Sequence, residues 1–255
     1  MSRIPWLISG CTSLRFGAAL SVTGLLDLCY PRCCEGCGGD IGSEEGHICW
    51  DCLAAAQYVN DPMCSRCGDP VDGLVEHSFE CGWCCRTRPA FAAARSALRF
   101  RGPMREILHR FKYNQGTHLG DDLGSLLEGC VRAHFADVRF DGITYVPLHP
   151  VKARQRSYNQ ARLLAESLGR RLHLPVNRYM LERSRFTRTQ TRLTAEERKQ
   201  NVRGAFRAVT PDWIDGRHWL LVDDVMTTGA TVDECARVLN VCGAASVRVV
   251  TVARG

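Results

Sequence analysis

Residues 220–231 read LLVDDVMTTGAT, and this stretch decides the fold of the C-terminal half of the chain. Its continuous apolar run is typical of a strand buried in a parallel sheet. The run ends at Asp223 and Asp224, and a turn rich in hydroxyl groups then passes through Gly229 into a helical pattern. A helix N-terminus directly after a parallel strand attracts phosphate groups. The stretch therefore predicts a phosphate-binding loop at the carboxyl end of a parallel sheet.

The sequence around this loop alternates between helical and strand patterns, as in a parallel α/β domain. The predicted elements are helices over 102–113 and 119–137, strands over 143–148, 219–222 and 247–252, and two helices that begin at the capping boxes Ser157-x-x-Gln160 and Thr231-x-x-Glu234. Strand–helix–strand alternation favours right-handed crossovers and one parallel sheet.

The distribution of cysteines divides the chain. Of its 255 residues, 45% are hydrophobic and 24% are charged, which is ordinary for a globular protein. No uninterrupted apolar run reaches the roughly 18 residues of a membrane-spanning helix. Twelve of the 15 cysteines precede residue 86. We therefore predict a leader helix over 1–30, a cysteine-rich domain over 31–88 and an α/β domain over 89–255.

The cysteine-rich segment contains four pairs of cysteines, each separated by two residues. The pairs are Cys34 and Cys37, Cys49 and Cys52, Cys64 and Cys67, and Cys81 and Cys84. Two such turns complete a four-thiolate zinc site. The pattern predicts two structural Zn²⁺ ions, with sequential pairing favoured and an interleaved pairing left open. Cys33 and Cys85 are alternative ligands to their neighbours Cys34 and Cys84.

A disulfide framework is the competing interpretation of these cysteines, and it requires an oxidising compartment. Residues 1–28 contain an apolar stretch, but Arg15 and Asp27 interrupt it and no small-residue cleavage site follows. A lipoprotein-like box ends at Cys11, yet the apolar region before it is too short for a normal signal. We therefore expect reduced thiols bound to zinc and a cytoplasmic protein.

Charge gives only weak support for a nucleic-acid partner. The formal net charge of +6 falls to about +2 when eight cysteines bind two Zn²⁺ as thiolates. Residues 31–85 carry ten carboxylates against Arg32 and Arg66, so the ribbons favour protein contact or structural support over DNA. Residues 183–203 are basic, which leaves direct DNA binding as a weaker hypothesis. A solvated helix beginning at the Thr194-x-x-Glu197 capping box is the simpler interpretation of that segment.

The loop resembles the phosphoribosyl-pyrophosphate signature of type I phosphoribosyltransferases, and the chain as a whole resembles the ComF family, with its double zinc ribbon. Besides the loop, the resemblance rests on CGWC at 81–84, PAF at 89–91, the stretch from FRG at 100–102 through KY at 112–113, VPLHP at 146–150, RSYNQA at 156–161, QT at 190–191 and NVRGAF at 201–206. It implies an α/β fold: a parallel-sheet type I phosphoribosyltransferase core preceded by a small cysteine-rich zinc-ribbon domain.

The resemblance also implies a site. Asp223 and Asp224 would be the catalytic residues and would hold the ribose hydroxyls of phosphoribosyl pyrophosphate, which binds together with Mg²⁺. The 5′-phosphate would be held by Thr227, Thr228, Gly229, Ala230 and Thr231. The turn over 147–156 occupies the place of the superfamily's pyrophosphate loop, and its cations are Lys152, Arg154 and Arg156. Residues 183–203 correspond to a mobile flap, and Ser157 stands where the family commonly has glycine.

Two functions follow from the resemblance. The first is a phosphoribosyltransferase, that is, a glycosyltransferase that releases pyrophosphate, linked to DNA uptake in natural transformation. The alternative is a non-catalytic competence adaptor or sensor, whose ribbons dock a protein partner such as a competence helicase. The chain retains Asp223, Asp224 and the threonines of the loop, which favours ligand binding under either hypothesis.

Overall fold

The protein is described by a computed structural model over residues 32–41, 46–71, 73, 75, 77–113, 116–185 and 194–255. The predicted leader helix over 1–30 lies outside these ranges. The strands, in chain order, are β1 (Ala93–Arg99), β2 (Gly142–Tyr145), β3 (Leu181–Arg183), β4 (Phe206–Ala208), β5 (His218–Met226) and β6 (Ser246–Arg254). The helices are α1 (Trp50–Ala54), α2 (Gly82–Thr87), α3 (Pro103–Tyr113), α4 (Leu119–His134), α5 (Pro150–Arg156), α6 (Gln160–Leu172), α7 (Ala195–Val202) and α8 (Ala230–Val241). In these ranges, no helix has the length and apolar character needed to cross a membrane.

A four-stranded parallel sheet in the order β1-β6-β5-β2 forms the centre of the fold. Tyr145 of β2 pairs with Val222 of β5, which in turn pairs with Val250 of β6. Val222 and Val250 are fully buried, as the apolar runs predict for a parallel sheet. β3 and β4 form a separate two-stranded antiparallel sheet. The predicted parallel α/β core is therefore confirmed.

Two apolar layers cover the two faces of the sheet. The first layer contains α3, α4 and α6 together with the first cysteine ribbon, represented by Cys34 and Cys52. The second contains α8, the two-stranded β3–β4 sheet and the second ribbon, represented by Cys64 and Cys84. Both ribbons are thus part of the core of the protein, and each packs on a different face.

Several predicted boundaries are corrected by the structure. The 157–160 capping box is wrong: Ser157 is the left-handed C-cap of α5, with φ 65°, and Asn159 caps α6 by accepting a bond from Arg162 N. The 231–234 capping box is also wrong, because the N-cap of α8 is Gly229, two residues before Thr231. In contrast, Thr194 caps α7 as predicted, with both bonds of the capping box present.

The segment between the two ribbons pairs with β1. Val59 N donates to Ala97 O (3.0 Å), and Arg99 N donates to Gln57 O (2.7 Å). Arg95 of β1 donates to Ser65 O in the second ribbon (3.0 Å). These bonds fix the ribbons against the edge of the sheet that carries β1.

Candidate active site and metal centres

The predicted phosphate loop joins the carboxyl end of β5 to α8. Gly229 is the N-cap of α8 and has φ 78°, a conformation that favours glycine. A Cβ at this position would also lie 3.3 Å from Met226 and 3.7 Å from the Trp83 ring of the second ribbon. Residues 225–232 and Asp223 line a cavity of about 30 Å³. A buried water needs roughly 10–15 Å³, so this space has room for about two or three waters.

The side chains of Asp223 and Asp224 lie on opposite faces of β5. The strand does not end at these carboxylates, as the sequence suggested, but continues to Met226. Because side chains alternate along a strand, Asp223 lines the loop cavity while Asp224 faces α3. Asp224 Oδ2 lies 3.0 Å from Lys112 Nζ in a largely buried ion pair. Lys112 is therefore a site residue to which the sequence analysis gave no role.

The surroundings of Asp223 favour its neutral form. Burial and the charge of Asp224 raise the pKa of Asp223 to about 8. The Asp224 N–H, which donates to Asp223 Oδ1 (2.9 Å), and the charges of Lys112 and Arg183 oppose this rise. A carboxyl group with a strongly raised pKa at the mouth of a cavity is a common feature of functional sites.

Two of the three predicted pyrophosphate cations lie on one face of α5. The segment forms a helix from Pro150 to Arg156 rather than an open turn. Lys152 and Arg156 are four residues apart and share a face, whereas Arg154 is exposed on a different face. Burial lowers the pKa of Lys152, and the charges of Arg183 and Arg156 lower it further. The structure therefore groups Lys152 and Arg156 and separates Arg154 from them.

Arg156 is held in place by its neighbours. Its guanidinium lies 4.9 Å from the centroid of the Tyr113 ring and donates to Tyr113 Oη (3.2 Å). It also donates to Gln160 Oε1 (3.2 Å), and Gln160 Nε2 donates to Lys112 O (3.3 Å). The ends of α3 and α5 thus form one connected group of cations beside Asp224.

Arg183 adds a buried cation behind this group. It ends β3, is 8% exposed, and its guanidinium lies 5.2 Å from the centroid of the Phe206 ring. Burial lowers its pKa, and its positive charge lowers the pKa of Asp223. The sequence analysis placed Arg183 in a basic flap, and the many other basic residues of that segment made its burial impossible to recognise from the sequence.

Arg254 connects the second ribbon with the phosphate loop. It is 8% exposed at the end of β6, and its Nε lies 3.0 Å from Oδ1 of Asp69, which follows Cys67 by two residues. Its Nη1 donates to Thr227 O in the loop (2.6 Å). One side chain therefore joins a cysteine turn to the candidate site.

The eight predicted zinc ligands form two groups of four. Cys34, Cys37, Cys49 and Cys52 form the first group, and Cys64, Cys67, Cys81 and Cys84 form the second. This is the sequential pairing. Sulfur–sulfur distances of 3.6 to 3.7 Å match the roughly 3.8 Å edge of a tetrahedron with Zn–S bonds of about 2.3 Å. The thirteen cysteines in the described ranges are free thiols, and the two groups fit structural Zn²⁺.

Backbone N–H groups around Cys34 favour its thiolate form. Burial would raise the pKa of Cys34, but N–H groups of Cys49, Cys37 and Gly36 lower it to about 6. Gly38 and Gly68 have φ of 75° and 66°, as predicted for residues that follow the second cysteine of a turn. Cys33 and Cys85 are exposed and lie outside both groups.

The first ribbon is fixed to the core by ion pairs. Glu35 Oε2 lies 2.8 Å from Arg110 Nη1 of α3, and Glu35 Oε1 lies 2.9 Å from His118 Nε2. His47 lies 3.0 Å from Asp122 of α4. One acidic residue of this ribbon, Glu35, thus binds two basic groups of the core, and the ribbon's His47 binds a core carboxylate.

The predicted flap is described only in part. Residues 186–193, with Arg188 and Arg192, lie outside the described ranges. Within them, α7 carries the exposed Lys199 and the half-buried Arg198. This agrees with the simpler interpretation of a solvated helix.

Two families match this chain, and their order along it agrees with the structure. The "Double zinc ribbon domain" matches residues 25–85, and the "Phosphoribosyl transferase domain" matches residues 159–255. The fold, the loop after β5 and the two cysteine groups define a protein with the phosphoribosyltransferase fold and an N-terminal double zinc ribbon.

Similar proteins of known sequence identify the family within this class. "DNA utilization protein YhgH" of Escherichia coli (strain K12) is 32% identical over 225 residues, which cover 87% of this chain and 96% of that protein. "Competence protein F" of Haemophilus influenzae is 30% identical over 226 residues, with the same coverage. A solved structure of glutamine phosphoribosylpyrophosphate amidotransferase from B. subtilis has 20% identity and a TM-score of 0.38, and covers 56% of this chain and 30% of that one. The chain belongs to the ComF family.

Proposed function

We propose that this protein binds phosphoribosyl pyrophosphate together with Mg²⁺ and transfers its phosphoribosyl group with release of pyrophosphate. The observation that carries the proposal is the cavity at the N-terminus of α8, where three threonines and Gly229 meet Asp223. Helix N–H groups and hydroxyls there suit a 5′-phosphate. The match of residues 159–255 to the phosphoribosyltransferase domain supports this assignment.

The remaining parts of the ligand fit the neighbouring groups. The carboxylates of Asp223 and Asp224 suit ribose hydroxyls or Mg²⁺ carried by the ligand, because carboxylate oxygens bind both. To bind the ligand, the Asp224 carboxylate must give up its ion pair with the Lys112 ammonium. Lys152 and Arg156, with Arg183 behind them, provide the cations that a diphosphate requires. Arg154 stays a separate prediction, since its side chain lies on another face of α5.

The chemistry of transfer is a displacement at the anomeric carbon. A bond forms between this carbon and the acceptor nucleophile, and the bond to the pyrophosphate oxygen breaks, with the electron pair leaving on pyrophosphate. A protic acceptor gives its proton to the departing group or to water. Mg²⁺ supplies positive charge that stabilises the leaving group. Lys112, Lys152 and Arg156 of this chain add fixed cations, so catalysis is electrostatic.

The names of the relatives support a role in the handling of DNA that enters the cell. In this role the ribbons dock a protein partner, for which a competence helicase is one candidate. Reduced thiols in two zinc sites support a cytoplasmic location.

Calorimetric titration tests the proposal. Phosphoribosyl pyrophosphate with Mg²⁺ is titrated into the zinc-loaded protein, and into the double variant Asp223→Asn, Asp224→Asn. Asp137→Asn is the matched control, since this carboxylate is exposed after α4 and distant from the loop in sequence. We expect binding by the wild type and the control, and its loss in the double variant. Absence of binding by the wild type refutes the proposal. If the protein binds phosphoribosyl pyrophosphate but releases no pyrophosphate with any acceptor that is added, the sensor is favoured over the enzyme.

A further inference from the structure

A second cavity lies at the opposite end of the sheet from the phosphate loop. It encloses about 510 Å³ beside the first residues of β2 and β5, within the usual range of small-molecule sites. Six of its lining residues carry recognisable chemistry: Trp213, Trp219, Tyr179, Arg178, Arg217 and Asp141. None of them belongs to the candidate active site.

The aromatic side chains of this cavity are unusually exposed. Tyr179 is 74% exposed and Trp213 is 61% exposed, whereas Trp219 is 3% exposed and forms the floor. Trp219 is fixed, because its Nε1 donates to Ile214 O (3.3 Å). Gly142 allows the indole to cross the start of β2, since a Cβ there would lie 2.6 Å from Trp219 Cζ3. Large apolar rings left in water mark a surface that another planar group can cover.

Two arginines and one carboxylate surround these rings. The Arg217 guanidinium lies 5.2 Å from the centroid of the Trp213 ring and donates to Trp213 O (2.6 Å). Arg178 pairs with Glu166 (2.8 Å), and its side chain remains half exposed. Asp141 Oδ2 accepts a bond from His218 N (2.8 Å), which fixes the carboxylate at the rim. The cavity therefore combines stacking faces, guanidinium donors and one polar acceptor.

We propose that this cavity binds a nucleobase that carries a phosphate, as in a nucleoside monophosphate or in one residue of a single-stranded nucleic acid. The base stacks on Trp213 or Tyr179, which every base permits because each has a π-face. Arg217 and Arg178 bind the phosphate, and Asp141 accepts a bond from an exocyclic amino group or a ribose hydroxyl. The site is separate from the phosphate loop, so it does not depend on the function proposed for that loop.

Calorimetry with adenosine 5′-monophosphate tests this proposal, using Trp213→Ala and Tyr179→Ala variants of the zinc-loaded protein. Both side chains are exposed, so the variants should fold. Trp50→Ala is the matched control, because Trp50 is 72% exposed on the first ribbon. We expect Trp213→Ala to weaken binding by about tenfold or more, and the control to bind within twofold of wild type. The Asp223→Asn, Asp224→Asn variant should retain this binding, which distinguishes the cavity from the phosphate loop.

Further ligands identify the parts that are recognised. Adenosine should bind more weakly than its monophosphate, since it lacks the group bound by the arginines, and ribose 5-phosphate should not compete. A tetranucleotide that binds much more tightly than the mononucleotide identifies single strands as the source, whereas equal affinities identify the free nucleotide. The proposal is overturned if the wild type binds neither adenosine 5′-monophosphate nor the tetranucleotide. It is also overturned if Trp213→Ala and Trp50→Ala bind adenosine 5′-monophosphate equally well.

Discussion

Replacing Arg254 by Met should weaken phosphoribosyl pyrophosphate binding without loss of zinc. Arg254 is nearly buried and makes two charge-assisted bonds, one to Thr227 O (2.6 Å) and one to Asp69 Oδ1 (3.0 Å). Met fills a similar volume but makes neither bond, so the phosphate loop loses its support from the second ribbon.

The size of the effect follows from these contacts. A hydrogen bond to a charged group contributes about 1.5–3 kcal/mol. Loss of the bond to the loop, at the lower end of this range, lowers the affinity about tenfold. Asp69→Asn should cost less, about two- to fivefold, because Asp69 is 45% exposed and a solvated pair contributes less than about 1 kcal/mol.

Two measurements check this prediction. Calorimetry gives the affinity, and hydrogen–deuterium exchange of residues 227–231 reports on the loop without any ligand. Exchange in Arg254→Met should be about tenfold faster than in wild type. Arg248→Met is the control, since this half-buried arginine lies on the same strand and donates to Ser246 Oγ (3.2 Å). Wild-type exchange and affinity in Arg254→Met, with two zinc ions per chain, would show that the loop does not need Arg254.

Four further predictions concern other features of the protein. Cys84→Ser should lose one zinc ion and lower the Tm, because Cys84 completes the second group, whereas Cys85→Ser should keep two; equal zinc contents by elemental analysis would contradict this ligand choice. The affinity for phosphoribosyl pyrophosphate should rise with pH by up to about tenfold per unit until about pH 8, where Asp223 ionises, and calorimetry on Asp223→Asn should show no such rise. Because its folded pKa is raised, Asp223 destabilises the fold as pH rises from about 4 to 8, so Asp223→Asn should have the higher Tm at pH 8.5 and a lower Tm would refute this. Ser157→Gly should stabilise the protein by about 0.5–1 kcal/mol by relieving a positive φ, measured by urea unfolding; a loss of stability would show that Ser157 is not strained.

The core of the sheet could be predicted because its sequence signals are local. The apolar runs of β5 and β6, the helical spacing of α3 and α4, and the turn at Gly229 depend on periodicity and on one special dihedral angle. The pairing of cysteines could not be chosen from spacing alone, since both pairings satisfy it.

β1 was missed because its sequence, AARSALR, contains two arginines and few β-branched residues. The structure accounts for both charges through the ribbon: Arg95 donates to Ser65 O, and Arg99 lies 3.5 Å from Pro70 O. Such long-range partners leave no local pattern. The same limit applies to the ion pair of Lys112 with Asp224, where residues 112 positions apart in the chain become neighbours.

The pairing of residues 57–59 with β1 has a consequence for how the protein avoids aggregation. β1 is the outermost strand of the sheet, and an exposed outer strand can act as a template for another chain. Here Gln57, Val59 and Arg66 bond to its backbone, so the ribbon segment covers that edge. A core without its ribbons would expose the outer backbone edge of this seven-residue strand, which pairs with β6 on its other side. The zinc ribbons therefore protect one edge of the sheet, and a chain that lacks them should self-associate more readily than the full chain.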